Sequence, residues 1–287
     1  MPGAALALVL TAAVLHSAWN ALTKRAHNPL CFLWLASSLS GLVYLPLAVA
    51  RLVTDGLPVP AVPYVLATIL LHALYFYALG RSYGSGEFSV VYPIARGLGV
   101  ALVPLLALPL FGERLSRLGA IGVGLVVAGI VALQVASRGW RTLWRRVGHG
   151  GTGTWWALLT GLTIASYSLV DKAGVARLHP VPYITLMFLG MNAVLVPVVL
   201  AEGEVRREWA RNRSRILLAA LMTSTAYVLV LFAFQISKAG YVVAGREVSI
   251  VLSALIGGVL FKEGRVAPRL AGAAVVLAGV VCVALAR

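Results

Sequence analysis

The chain has 287 residues, 60% of them hydrophobic and only 11% charged, with a mean hydropathy of +0.92. A soluble domain carries about a quarter charged residues, so the composition excludes an ordinary soluble domain and points to an all-α polytopic membrane protein. The formal charge of +15 would suggest nucleic-acid binding in a soluble chain, but here the basic residues sit between apolar runs. They read as topology signals facing anionic headgroups, and no nucleic-acid partner is expected.

Apolar runs of about 20 residues can cross a bilayer as helices. They fall near 3–22, 32–50, 61–80, 88–110, 117–136, 154–172, 182–201, 215–235, 241–261 and 267–286. The first run lacks a basic leading region, and Lys24 and Arg25 follow it, so it reads as a retained span rather than a cleaved signal. His16, Trp19, Asn20 and Thr23 share one face of it by helical spacing. His16 and Asn20 are candidate substrate-binding residues there, with helix-to-helix hydrogen bonding as the structural alternative. On the third span His72 and Tyr75 read as packing. The fourth span opens at Glu87, an acid suited to the helix dipole, and carries Tyr92, Pro93 and Arg96. Tyr92 and Arg96 are site candidates, and Pro93 can bend the span and free backbone groups.

A basic stretch over 138–153 divides five spans from five. In the second half Tyr167 is a candidate, while Asp171 and Lys172 read as a helix end. Tyr227 is a candidate on the eighth span, whose Gln235 reads as packing. The ninth span carries Arg246 and Glu247, both candidates: the arginine for a negative cargo group, the glutamate for a proton or a cationic substrate, or as counter-charge to an arginine on another helix such as Arg96. Ionisable residues within spans usually face the bundle interior. Cys31 and Cys282 show no paired spacing, so neither a disulfide nor a metal site is expected, and no cofactor is implied. There is no phosphate-binding Gly-x-x-x-x-Gly-Lys-Ser/Thr motif, no zinc-protease motif and no Gly-x-Ser-x-Gly elbow, which argues against an ATP-driven pump or an enzyme.

The halves resemble each other. A shift of 150 residues lays Arg96 on Arg246, Leu102 on Leu252, Leu105 on Leu255, Phe111 on Phe261, Glu113 on Glu263 and Ala128–Gly129 on Ala278–Gly279. Laying Ser17 on Ser168 brings His16 onto Tyr167 and Asn20 onto Asp171. Five spans per half is an odd number, so the second half enters from the opposite side. That predicts an inverted repeat, with 1–137 and 154–287 as its units and the substrate between them.

"HSAWNALTKR", "FSVVYPIARG", "FGERLSRLGAIGVGLVVAGIV" and "FKEGRVAPRLAGAAVVLAGVV" resemble the EamA-type transporters of the drug/metabolite transporter superfamily. The likeness covers nearly the whole chain as two EamA-like repeats. One departure is "GREVS" in the ninth span, where many relatives have a proline-containing segment. The resemblance implies ten helices around a central cavity and export or exchange of a small polar molecule. With two arginines the cargo expected is anionic or zwitterionic, moved by alternating access, with protons as a coupling ion. A lipid or lipid-carrier flippase on the same scaffold is the alternative.

Twenty arginines against four lysines fit a GC-rich bacterial genome, and hence a bacterial inner membrane. The odd-numbered loops hold fifteen basic residues and the even-numbered loops six. The positive-inside rule therefore places the odd loops in the cytoplasm and both termini outside, opposite to the orientation usual for the family.

Overall fold

A computed structural model describes residues 1–23, 25–85, 88–138, 152–252 and 266–286, with side chains given outside 80, 82–94, 134–138, 253–270 and the gaps. Among the described residues all regular structure is helical. The helices are α1 Gly3–Thr23, α2 Pro29–Val43, α3 Leu45–Asp55, α4 Val62–Ser85, α5 Phe88–Phe111, α6 Arg117–Arg138, α7 Thr152–Val175, α8 Pro180–Glu202, α9 Val205–Ile236, α10 Ala239–Arg246 and α11 Val266–Leu285.

Gly3–Thr23, Val59–Leu79, Pro180–Glu202 and Val205–Ile236 are each long and apolar enough to cross a bilayer, and α2 with α3 makes a fifth, bent span. Shorter apolar stretches occur at Ala95–Phe111, Arg117–Leu133 and Ala271–Leu285. The chain is a multi-pass membrane protein, with fewer full-length spans among the described residues than the ten expected.

Three boundaries differ from the expected ones. The second span is not one straight helix: it bends by 47° between α2 and α3. Pro46, in the first turn of α3, cannot donate to the carbonyl four residues back and clashes with it. The eighth span's helix begins at Val205 rather than 215, because the charged stretch 205–211 continues it outside the apolar region, with a kink at Asn212 (φ −126°, ψ 17°). The ninth is interrupted: α10 stops at Arg246, Glu247 is a turn residue, and 248–252 are helical again.

Local signals set the ends. Asn28 caps α2 by accepting from the Cys31 N–H at 3.0 Å, and Pro29 follows it where the missing N–H costs nothing. Gly203 ends α8 in the left-handed conformation at φ 69°. The buried Glu208 ties the α1–α2 connection to α9. Its carboxylate accepts from the Asn28 N–H at 2.7 Å and from Asn212 Nδ2 at 2.6 Å.

Packing runs mainly between the two halves of the chain. α4 and α5 pack on α7, α1 and α2 pack on α9, and α6 packs on α11. Replacing each helix by its counterpart 150 residues along turns the α4–α7 contact into the α9–α1 contact.

The α6–α11 contact is closest at glycines. A β-carbon on Gly122 would lie 2.7 Å from the Gly279 carbonyl oxygen, and one on Gly279 would lie 2.6 Å from the Gly122 carbonyl oxygen. Likewise Gly129 would meet the Val276 nitrogen at 2.7 Å and the Gly272 carbonyl at 3.1 Å, and Gly272 would meet the Leu133 nitrogen at 2.7 Å. Residue number rises along α6 as it falls along α11, so the two run antiparallel. Small residues let membrane helices approach this closely.

Gly279→Leu should therefore force the helices apart and cost about 1–3 kcal/mol, the usual range for overpacking. Gly124, on the same helix, has nothing within 4 Å of an added β-carbon, and Gly124→Ala should be neutral. Thermal unfolding in detergent checks both, and equal melting temperatures for the two variants would contradict the contact.

Candidate functional site

A cavity of about 500 Å³ lies among α1, α2, α4, α5, α7, α8, α9 and α10. On α1, Asn20 Nδ2 donates to the His16 carbonyl at 2.8 Å and Thr23 to the Trp19 carbonyl at 3.0 Å. These bonds pin the two side chains against their own helix. The His16 and Trp19 rings meet edge to face at 4.9 Å. The Trp19 indole N–H is buried without a partner among the described residues and lines the cavity. Tyr75 and Tyr167 meet edge to face at 5.5 Å on another wall. Thr23, Asn28 and Pro29 line the cavity at the α1–α2 connection.

Of the residues singled out from the sequence, His16, Asn20, Arg96, Tyr167, Tyr227 and Arg246 all line this one cavity. Arg246 lies over the Tyr227 ring at 5.8 Å from its centroid, a cation–π arrangement. Among the described residues no carboxylate lies within ion-pair distance of it. Glu247 is not among the lining residues. It is 3% exposed and sits 3.4 Å from Arg96 Nε, because the turn at 247 swings it away from Arg246. It thus answers the Arg96 charge from another helix instead of facing cargo. The Tyr92 side chain and Glu87 lie outside the described residues.

Asp171 is not the helix end that its position in the sequence suggests. α7 continues past it to Val175, and its side chain is fully buried. It accepts from Thr68 Oγ1 at 2.5 Å, from the Tyr183 hydroxyl at 2.9 Å and from the Tyr227 hydroxyl. His72, taken for packing, reaches the same Tyr227 hydroxyl with Nε2 at 3.0 Å. The available signal was an acid inside an apolar run, which by default marks a functional position.

At the other end of α7 from the cavity's Thr160, Lys172 pairs with Glu113 at 2.9 Å and donates to the Phe234 and Ser237 carbonyls. Glu113 also accepts from the Ala239 N–H at 2.7 Å, and Lys238 donates to the Arg114 carbonyl at 2.6 Å. Met1, at the start of α1, lines one hollow with Lys172, at the end of α7. α1 therefore begins at the end of the bundle where its counterpart α7 finishes.

Comparison with known proteins agrees with this architecture. The sequence profile of the EamA-like transporter family matches residues 151–285, and that of the Small Multidrug Resistance protein matches residues 60–126. The chain is 45% identical over 49 residues to the multidrug transporter PA4990 of Pseudomonas aeruginosa, a stretch covering 17% of this chain and 44% of that one. It is 31% identical over 83 residues to the spermidine export protein MdtI of Cronobacter sakazakii, covering 29% of this chain and 74% of MdtI. The chain thus spans less than half the length of PA4990 in that match, and MdtI is itself shorter than half of this chain. One solved crystal structure shares the fold with a TM-score of 0.75 over 99% of both chains, at 18% identity. With the profile matches falling in both halves and the likeness to MdtI covering most of that protein, the chain belongs to the drug/metabolite transporter superfamily, as an EamA-like transporter.

Proposed function

We propose that this protein is a secondary transporter that moves a small anionic or zwitterionic metabolite across the plasma membrane by alternating access, as an exporter or exchanger. The observation that carries this reading is the single cavity lined by Arg96 and Arg246 together with His16, Asn20, Tyr167 and Tyr227. Arg246 has the pairing capacity to grip a carboxylate or phosphate through two parallel bonds, and the Trp19 N–H adds a donor. Aromatic walls suit a cargo with an apolar body.

MdtI is named for spermidine, a polyamine cation. Among the described residues no carboxylate lines the cavity here, so the charge on offer is positive and the cargo class reverses. A volume of about 500 Å³ fits a metabolite-sized solute, which is why the flippase alternative is not adopted.

Two features support alternating access on an inverted repeat of 1–137 and 154–287. The reciprocal glycine contact of antiparallel α6 and α11, and the opposite directions of α1 and α7, are what such a repeat requires. The cavity reaches the α1–α2 connection, while the Lys172–Glu113 pair and its neighbours cross-link the helices at the opposite end. The described basic stretch 206–215 lies on the cavity side, where Arg211 meets His27 beside the α1–α2 connection, so on the positive-inside argument this is an inward-open form.

Arg246→Ala should weaken anionic or zwitterionic cargo about tenfold to a hundredfold, the range for a lost charged hydrogen bond. Arg246→Lys should rescue it only in part. Uptake and efflux by everted vesicles across a metabolite panel tests this, and unchanged transport by Arg246→Ala would refute the site. Arg96 has a second duty, because its loss leaves Glu247 buried without its counter-charge. Arg96→Ala should accordingly cost about 3–5 kcal/mol of stability, as for other broken buried pairs, whereas Arg96→Met with Glu247→Met should recover most of it. Denaturation of the two variants in detergent checks the pair.

A further inference from the structure

Behind the cavity wall, the hydrogen bonds around Asp171 can be counted proton by proton. His72 Nδ1 is 3.0 Å from the carbonyl of Thr68, one turn back on α4. A carbonyl only accepts, so Nδ1 carries a hydrogen. Thr68 Oγ1, also 3.0 Å from Nδ1, cannot then donate to it and gives its hydrogen to Asp171 Oδ1 at 2.5 Å. Tyr183 donates to the same oxygen at 2.9 Å. Three atoms remain in a row: Asp171 Oδ2, the Tyr227 hydroxyl oxygen and His72 Nε2. They make two contacts. Tyr227 brings one hydrogen, and two contacts need two.

We infer that Asp171, Tyr227 and His72 form a proton-binding relay in the wall of the transport cavity, holding one exchangeable proton. With that proton on Asp171, the neutral acid donates to Tyr227 and Tyr227 donates to His72 Nε2. With it on His72, the imidazolium donates to Tyr227 and Tyr227 donates to the Asp171 carboxylate. The two arrangements interconvert by two hops along the row, with no atom gained or lost. Removing the proton leaves a carboxylate and a neutral imidazole competing for the one Tyr227 hydrogen, so that one contact sets lone pair against lone pair in a buried place. His72 and Tyr227 line the cavity and Asp171 does not, so the proton enters and leaves on the His72 side.

The surrounding groups are consistent with a relay that stays local. On α7 the Tyr167 ring lies tilted over His72 at 4.2 Å, and Lys172, next to Asp171, turns its amine to Glu113. On α4 Tyr75 packs on Tyr167, and on α8 Tyr183 holds Oδ1. From α10, Arg246 sits over the Tyr227 ring. Arg96 on α5 is paired with Glu247, and His16 of α1 lines the same cavity.

The relay rests on the transporter reading for its use, but its chemistry is testable without cargo, by infrared difference titration of the purified full chain in lipid vesicles with protons as the probe. The expected result is a one-proton step with the signature of a buried carboxylic acid or an imidazolium. Asp171→Asn and His72→Gln should each abolish the step or displace its midpoint by about one pH unit or more, the scale of one lost hydrogen bond to a charged group. Tyr227→Phe, which keeps the ring and removes only the bridging hydroxyl, should displace it likewise in a protein that melts close to wild type. Absence of any such step, or a midpoint unmoved by Tyr227→Phe, would overturn the relay. An intact titration alongside failed transport of every anion tested would instead count against the proposed cargo.

Discussion

Hydrocarbon offers a polar side chain neither counter-charge nor hydrogen bond, and the interior of this protein is organised by that lack. Burying one charged residue at the bilayer centre costs about 2.5–3.5 kcal/mol on insertion scales. The chain meets the cost by aiming its polar groups at one another across helices. Arg96 reaches Glu247, Thr68 reaches Asp171, Lys172 reaches Glu113, Ser37 reaches Asn192 at 2.8 Å, and Ser17 reaches the Ser249 carbonyl at 2.9 Å. Every one of these contacts joins a residue before 139 to a residue after 151. The demand for partners therefore does more than neutralise charge: it stitches the first half of the chain to the second.

The cavity follows from the same constraint. Where polar groups are satisfied by one another, as in the Lys172–Glu113 pair, they tie helices together. Where a cation such as Arg246 finds an aromatic face instead of an acid, space is left beside it. The cavity's unfilled capacity among the described residues is the Trp19 N–H and the Arg246 guanidinium.

Membrane class and most helix positions were legible in the sequence because hydropathy directly reports the cost of exposing backbone to lipid. The misplacements have local causes that hydropathy averages away: Pro46 bends an evenly apolar run, and the charged 205–211 stretch is helical despite its polarity. Arg96, Arg246, His16 and Asn20 could be singled out because each is polar in an apolar run. Their meeting in one space depends on tertiary packing, as does the decision of Glu247 to face Arg96. Asp171 was discounted because position alone placed it near a helix end. Only the hydroxyls of Thr68, Tyr183 and Tyr227, from three other helices, show what it holds.

The antiparallel glycine contact has a consequence for how such a chain can diverge. Gly122 meets Gly279 and Gly129 meets Gly272, so each position faces the counterpart of its own neighbour. A bulky change at one copy cannot be offset at the other, since the opposing surface is backbone, and both copies are held to the same residue. The cavity residues are under no such reciprocal rule. His16 answers to Tyr167 and Asn20 to Asp171, so matching places in the two halves now carry different chemistry. On the proposed reading, a duplicated scaffold of this kind keeps these seam glycines identical while its two faces specialise, one toward the solute and the other toward a proton, which a single unit pairing with a copy of itself could not do.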